Sequence, residues 1–159
     1  MNETLRHTIH KRHVHHGWNN AFPPALKIAP GETVHFETLD ASSGQLTATS
    51  TATDLEKLDL ARVNPVTGPV YVDGAKPGDA LKVSVLAFRP SGWGWTGNIP
   101  GFGLLSDQFP KARLHHWSYD PGLAPAMYGP GGRVPLPPLT RAIAVAPAAP
   151  RPHRHSPPP

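Results

Sequence analysis

Two histidines, His13 and His15, stand at i and i+2 in the run His13-Val14-His15-His16-Gly17-Trp18-Asn19-Asn20. In an extended chain their imidazoles share one face, with Val14 and His16 on the other. Imidazoles so spaced can present nitrogen ligands to a transition metal. No third ligand or orienting partner follows nearby, so a solvated, His-rich edge explains the run as well.

A second candidate is the polar loop Asp40-Ala41-Ser42-Ser43-Gly44-Gln45, where Gly44 is free to take a left-handed conformation. Loops of this kind carry function more often than strands do, although a lone Asp in one usually caps a turn. Trp93 and Trp95, separated by Gly94, point the same way on an extended segment. They serve either as an aromatic plug in the core or as a pocket wall. His115-His116 before Trp117 is open in the same way, between ligand and structural histidine.

The elements that must position these residues are mostly short strands. Val63-Asn64-Pro65-Val66-Thr67-Gly68-Pro69-Val70-Tyr71-Val72-Asp73-Gly74 predicts a strand at Val70–Val72, entered and left through Pro/Gly turns. Lys76-Pro77-Gly78-Asp79 then leads to a second strand over Ala80–Phe88, apolar on both faces near its end and so expected to be central. A first strand is expected around Arg6–His10. Ala25–Ile28 and Thr33–Thr38 flank Pro30-Gly31 and predict a β-hairpin with Leu26, Ile28, Val34 and Phe36 facing the core. Thr53–Leu60 is the one helical patch, about two turns long, with Thr53 as its cap.

Length and composition bound the rest. A chain of 159 residues suffices for one domain with a core. Its 21 prolines and 15 glycines break it into short pieces, which predicts a mainly β, sandwich- or jelly-roll-like fold with one short helix. The domain is expected over residues 1–147, with a Pro-rich, disordered tail over 148–159. The net charge of +4 is modest, and no Lys/Arg stripe interleaves with aromatics, so no nucleic-acid partner is expected. No run is long and apolar enough to span a bilayer, and no signal core opens the chain, so a cytoplasmic location is expected. With no cysteine, thiolate metal sites and a cysteine nucleophile are excluded.

The stretch from Asn64 to Asp79 resembles the signature of the acetamidase/formamidase family, whose members hydrolyse small linear amides to a carboxylate and ammonia. The resemblance spreads over residues 7–138. It is carried by His15-His16-Gly17-Trp18-Asn19-Asn20, Pro23-Pro24, Pro30-Gly31-Glu32-Thr33-Val34 and Asp40-Ala41-Ser42-Ser43-Gly44-Gln45-Leu46. It continues in Gly92-Trp93-Gly94-Trp95-Thr96, Pro100-Gly101-Phe102-Gly103-Leu104-Leu105 and His116-Trp117. Two later family motifs, Asn-Gly-Gly-Asn and Gly-Asp-x-His followed by Gly-Asp-Gly-Glu, do not occur. The chain is therefore expected to be an N-terminal piece, as a frameshift or early stop near residues 137–151 would produce.

The resemblance implies a small amide substrate, a homo-oligomer in full-length relatives, and a divalent metal. That metal is expected to be zinc, or calcium where oxygen ligands dominate. His13 and His15 are the candidate metal ligands, and Asp40 and Thr67 the catalytic candidates, singled out as polar residues beside rigid Gly/Pro loops. Ser43, Gly44, Gly68 and Trp95 are expected to bind substrate, with backbone N–H groups of the Ser43-Gly44 and Thr67-Gly68 loops orienting it. The competing reading is a non-catalytic, His-rich β-sandwich that binds a metal or a partner.

Overall fold

The computed structural model describes residues 7–122, 126–128, 132–137, 139–140 and 142–148. Of the expected tail, only residue 148 is among them. The described residues are mainly strands with a single short α-helix, α1 (Ala52–Glu56), and one 3-10 turn at Leu60–Arg62. They fall into two compact units. One gathers the described residues within Met1–Gln45, Asp59–Leu81 and Val145–Pro159, the other those within Leu46–Leu58 and Lys82–Ala144.

Three strand pairs build the first unit. β1 (His7–Ile9) runs parallel to β4 (Val34–Phe36), with Ile9 opposite Phe36. β2 (Val14–His15) runs antiparallel to β5 (Val66–Thr67), and β3 (Leu26–Ile28) parallel to β6 (Val70–Val72). The strand expected at Val70–Val72 therefore forms, as does the one near Arg6–His10.

The hairpin expected over 25–38 does not form. Its turn exists: the Glu32 amide donates to the Ala29 carbonyl, the Glu32 carboxylate accepts from the Ala29 amide at 2.6 Å, and Gly31 takes φ +88°. Its two arms nonetheless pair elsewhere, β3 with β6 and β4 with β1. Long-range pairing outweighs the local turn preference, and Phe36, expected inside, is 43% exposed.

The second unit contains the longest ladder, β7 (Trp93–Asn98) antiparallel to β8 (Arg113–Ser118), and the shorter pair β9 (Ala126–Tyr128) with β10 (Gly132–Val134). α1 is shorter than expected and starts earlier. Thr51, not Thr53, caps it: the Asp54 carboxylate accepts from the Thr51 amide at 2.7 Å and from its hydroxyl at 3.0 Å. Those bonds hold the Asp54 carboxyl below its ordinary pKa. The chain then leaves the helix for the 3-10 turn, where Asp59 accepts from the Ala61 amide. Leu55 is buried against Gly97 of β7.

The strand expected at Ala80–Phe88 is absent, and Leu81–Arg89 are exposed throughout. Among the described residues no strand pairs with it, so β-propensity alone does not make it a strand. Among the described residues no helix is long and apolar enough to cross a membrane.

Candidate functional site

The first unit brings three separate blocks of sequence together. β2 carries His15 alongside Val66, and Val14 alongside Thr67. The Asn64 amide donates to the Ala41 carbonyl at 2.8 Å, tying the 40–45 loop to the start of the β5 strand. His16 Nε2 lies 2.9 Å from Ser43 Oγ, which joins the same loop to the histidine run.

His15 is oriented. Its Nδ1 lies 2.6 Å from the Gly17 carbonyl oxygen. A carbonyl only accepts, so Nδ1 carries the proton and Nε2 keeps a bare lone pair. The ring sits edge-on to Trp18 and tilted against Phe22, with centroids 6.1 and 5.1 Å away. Partial burial lowers the imidazole pKa, the Gly17 bond opposes this, and the neighbouring His16 adds a smaller downward push. His15 is thus a neutral imidazole offering Nε2 as a base or a ligand.

Asp40 has a different task. Its Oδ2 accepts from the Ser42 amide at 2.9 Å and from the Ser42 hydroxyl at 2.6 Å, and its Oδ1 from the Gly44 amide at 2.8 Å. The Ser43 amide donates to the Asp40 carbonyl. The carboxylate therefore organises the loop and holds Ser43 at φ +62°, a left-handed conformation unusual for a residue with a Cβ. Ser42, fully buried, is part of this arrangement.

Those bonds correct one expectation. The Gly44 amide is committed to Asp40, and the Gly68 amide to the His13 carbonyl at 3.0 Å. Neither N–H is free to orient a substrate. The Thr67 hydroxyl is likewise directed at the Glu37 carbonyl, 3.4 Å away. What the loop presents is the Ser43 side chain beside His16. That pair was not legible in the sequence, because 27 positions separate its members.

The proposed ligand set is incomplete. Among the described residues no three His, Cys, Asp or Glu side chains gather where they could hold one metal ion. A tetrahedral site needs at least three protein ligands, so His13, His15 and Asp40 do not by themselves fit a zinc centre.

Trp95 belongs to the other unit, on β7 opposite His116. There Trp93 stacks on His116 with ring centroids 6.3 Å apart, and His116 Nε2 donates to the Ser50 carbonyl at 2.7 Å. Trp117 donates to the Thr96 hydroxyl, and its ring meets His115 edge-on. Among the described residues, two buried atoms in this cluster find no partner: the Trp93 indole N–H and His116 Nδ1. A cleft of about 230 Å³ in the same unit is lined by Asn98, Gln108, Phe109, Pro110, Lys111 and Arg113, none of them a candidate residue.

Comparison with known proteins accounts for these blocks. Residues 1–156 match the pattern of the acetamidase/formamidase family. The chain is 33% identical over 112 residues to a formamidase of Methylophilus methylotrophus, covering 67% of this chain and 28% of that protein. It is 30% identical over 132 residues to an acetamidase of Mycolicibacterium smegmatis, covering 75% and 32%. Its structure is similar to the crystal structure of an acetamidase from Bacillus halodurans, with TM-score 0.82 and 30% identity, covering 92% of this chain and 48% of that one. A gamma lactamase from Delftia acidovorans matches with TM-score 0.66 and 29% identity, covering 81% and 36%. The chain thus spans about half of the solved acetamidase and about a third of the curated relatives. It is a member of the acetamidase/formamidase family.

Proposed function

We propose that this chain contributes His15 and the Asp40–Gly44 loop to the hydrolysis of small linear amides such as formamide and acetamide. The observation that carries this reading is the fixed tautomer of His15, with Nδ1–H on the Gly17 carbonyl and Nε2 bare. Amide hydrolysis needs a base for the attacking oxygen, stabilisation of the oxyanion and a proton for the departing nitrogen. His15 Nε2 meets the first need by removing a proton from water. Ser43 Oγ, in the loop that the Asp40 carboxylate organises, contacts the substrate. Asp40 acts by positioning, through the loop, and Thr67 and Gly68 through the β2–β5 pairing.

A divalent cation, zinc or calcium, belongs to this proposal only with ligands from outside the described residues. The proposal includes a cytoplasmic location and a homo-oligomer.

The test is ammonia release from formamide and acetamide by a polypeptide in which this chain replaces the matching part of the Bacillus halodurans acetamidase. Turnover is expected and is lost in His15→Gln. Turnover that survives both His15→Gln and Asp40→Ala sinks these roles. The second reading is a non-catalytic His-rich binding module that takes its metal with ligands beyond the described residues. Stoichiometric metal uptake without ammonia release selects it.

A further inference from the structure

Residues 82–88, Lys-Val-Ser-Val-Leu-Ala-Phe, have the composition of a strand and belong to none. No backbone hydrogen bond joins residues 80–90 to any other described residue. Val83 is 59% exposed, Val85 51%, Leu86 68% and Phe88 42%. If the segment is extended, Val83 and Val85 lie on one face and Leu86 and Phe88 on the other, so both faces carry apolar surface. In the same unit Phe102, Leu104, Leu105 and Phe109 are also exposed.

Such a segment is a template for strand addition, since its N–H and C=O groups are open on both edges. Burial is short as well. Among the described residues the buried hydrophobic side chains are Ile9, Leu46 and Leu55, a small core for the surface these residues leave exposed. The solved acetamidase that matches 92% of this chain is matched over only 48% of its own length, so its fold contains about as much polypeptide again.

We propose that residues 82–88 form a strand slot filled by a β-strand from that remaining part of the acetamidase/formamidase fold. The incoming strand pairs with the open backbone, and apolar side chains from the added polypeptide cover Val83, Val85, Leu86 and Phe88. The proposal rests on family membership and on exposure, and does not depend on amide hydrolysis.

The experiment is amide hydrogen exchange read by mass spectrometry on the whole chain and on the same chain fused to the part of the Bacillus halodurans acetamidase outside the match. Amides of 82–88 are expected to exchange at the rate of open chain in the chain alone, and to slow by about 100-fold or more in the fusion. Val85→Pro, which removes one N–H and fixes φ, is expected to abolish that slowing while leaving the β7–β8 ladder protected. Equal exchange at 82–88 in the two polypeptides overturns the proposal. So does slowing in the chain alone that grows with concentration, because it assigns the segment to a second copy. Protection without ammonia release counts against the amidase reading alone, and ammonia release without protection counts against the strand slot alone.

Discussion

His15 Nδ1 lies 2.6 Å from the carbonyl oxygen of Gly17, two residues along the chain. One short bond thus decides which imidazole nitrogen carries the proton, and burial against Trp18 and Phe22 keeps the ring neutral. The same bond is the arrangement by which proteins fix a histidine that must accept or ligate through Nε2.

The first prediction concerns pH. Because folding lowers the His15 pKa, the unfolded chain takes up the proton first as pH falls. This contribution to stability is complete above the ordinary imidazole value of about 6.5. It is lost as pH falls from there towards the lowered folded value, and then levels off. Nitrogen-15 NMR is expected to show His15 as the Nδ1–H tautomer at neutral pH. Urea midpoints should fall less between pH 7.5 and 5 in His15→Gln than in the parent. An equal fall in both proteins removes His15 from the account.

The 40–45 loop is held by one carboxylate. Asp40→Ala removes the acceptor of three hydrogen bonds and is expected to cost about 1.5–3 kcal/mol, by analogy with charged hydrogen-bond partners generally. Ser43→Gly relieves the left-handed strain and is expected to raise stability by roughly 0.5–1 kcal/mol. Chemical denaturation checks both. A stabilised Ser43→Gly with reduced turnover in the acetamidase replacement separates the role of the hydroxyl from that of the loop.

Gly97 of β7 lies directly against the Leu55 side chain. A Cβ on Gly97 would meet Leu55 Cδ2 at 2.8 Å and Cδ1 at 3.0 Å. Gly97→Ala is expected to destabilise by about 1–3 kcal/mol through overpacking. Leu55→Ala should cost about 2–5 kcal/mol through the cavity it leaves. The double variant should be less destabilised than the sum, since each change relieves the other. Additive melting data would argue that the contact is not made.

Trp93 gives the opposite expectation. Its indole N–H is buried and has no partner among the described residues. Trp93→Phe therefore removes an unsatisfied donor, and no hydrogen bond is lost. Stability is expected to stay within about 1 kcal/mol, against the several lost when a bonded donor's partner is orphaned. A large loss of stability would reveal an acceptor for that N–H, for which an ordered water is the natural candidate.

The sequence by itself determined the family, the mainly β character, the strand at Val70–Val72 and the polar loop at Asp40–Gln45. These are local properties: proline and glycine fix turns, alternating apolar residues mark strands, and ordered motifs mark descent. It also singled out His15, without saying which nitrogen would be bare. Only tertiary structure decided that the turn at Pro30-Gly31 does not make a hairpin, because β3 finds β6 and β4 finds β1 at long range. Only tertiary structure committed the Gly44 and Gly68 amides to Asp40 and His13, and brought His16 to Ser43 across the chain. The segment 82–88 marks the boundary between the two. Its residues favour a strand, but a strand exists only where another backbone offers the matching donors and acceptors.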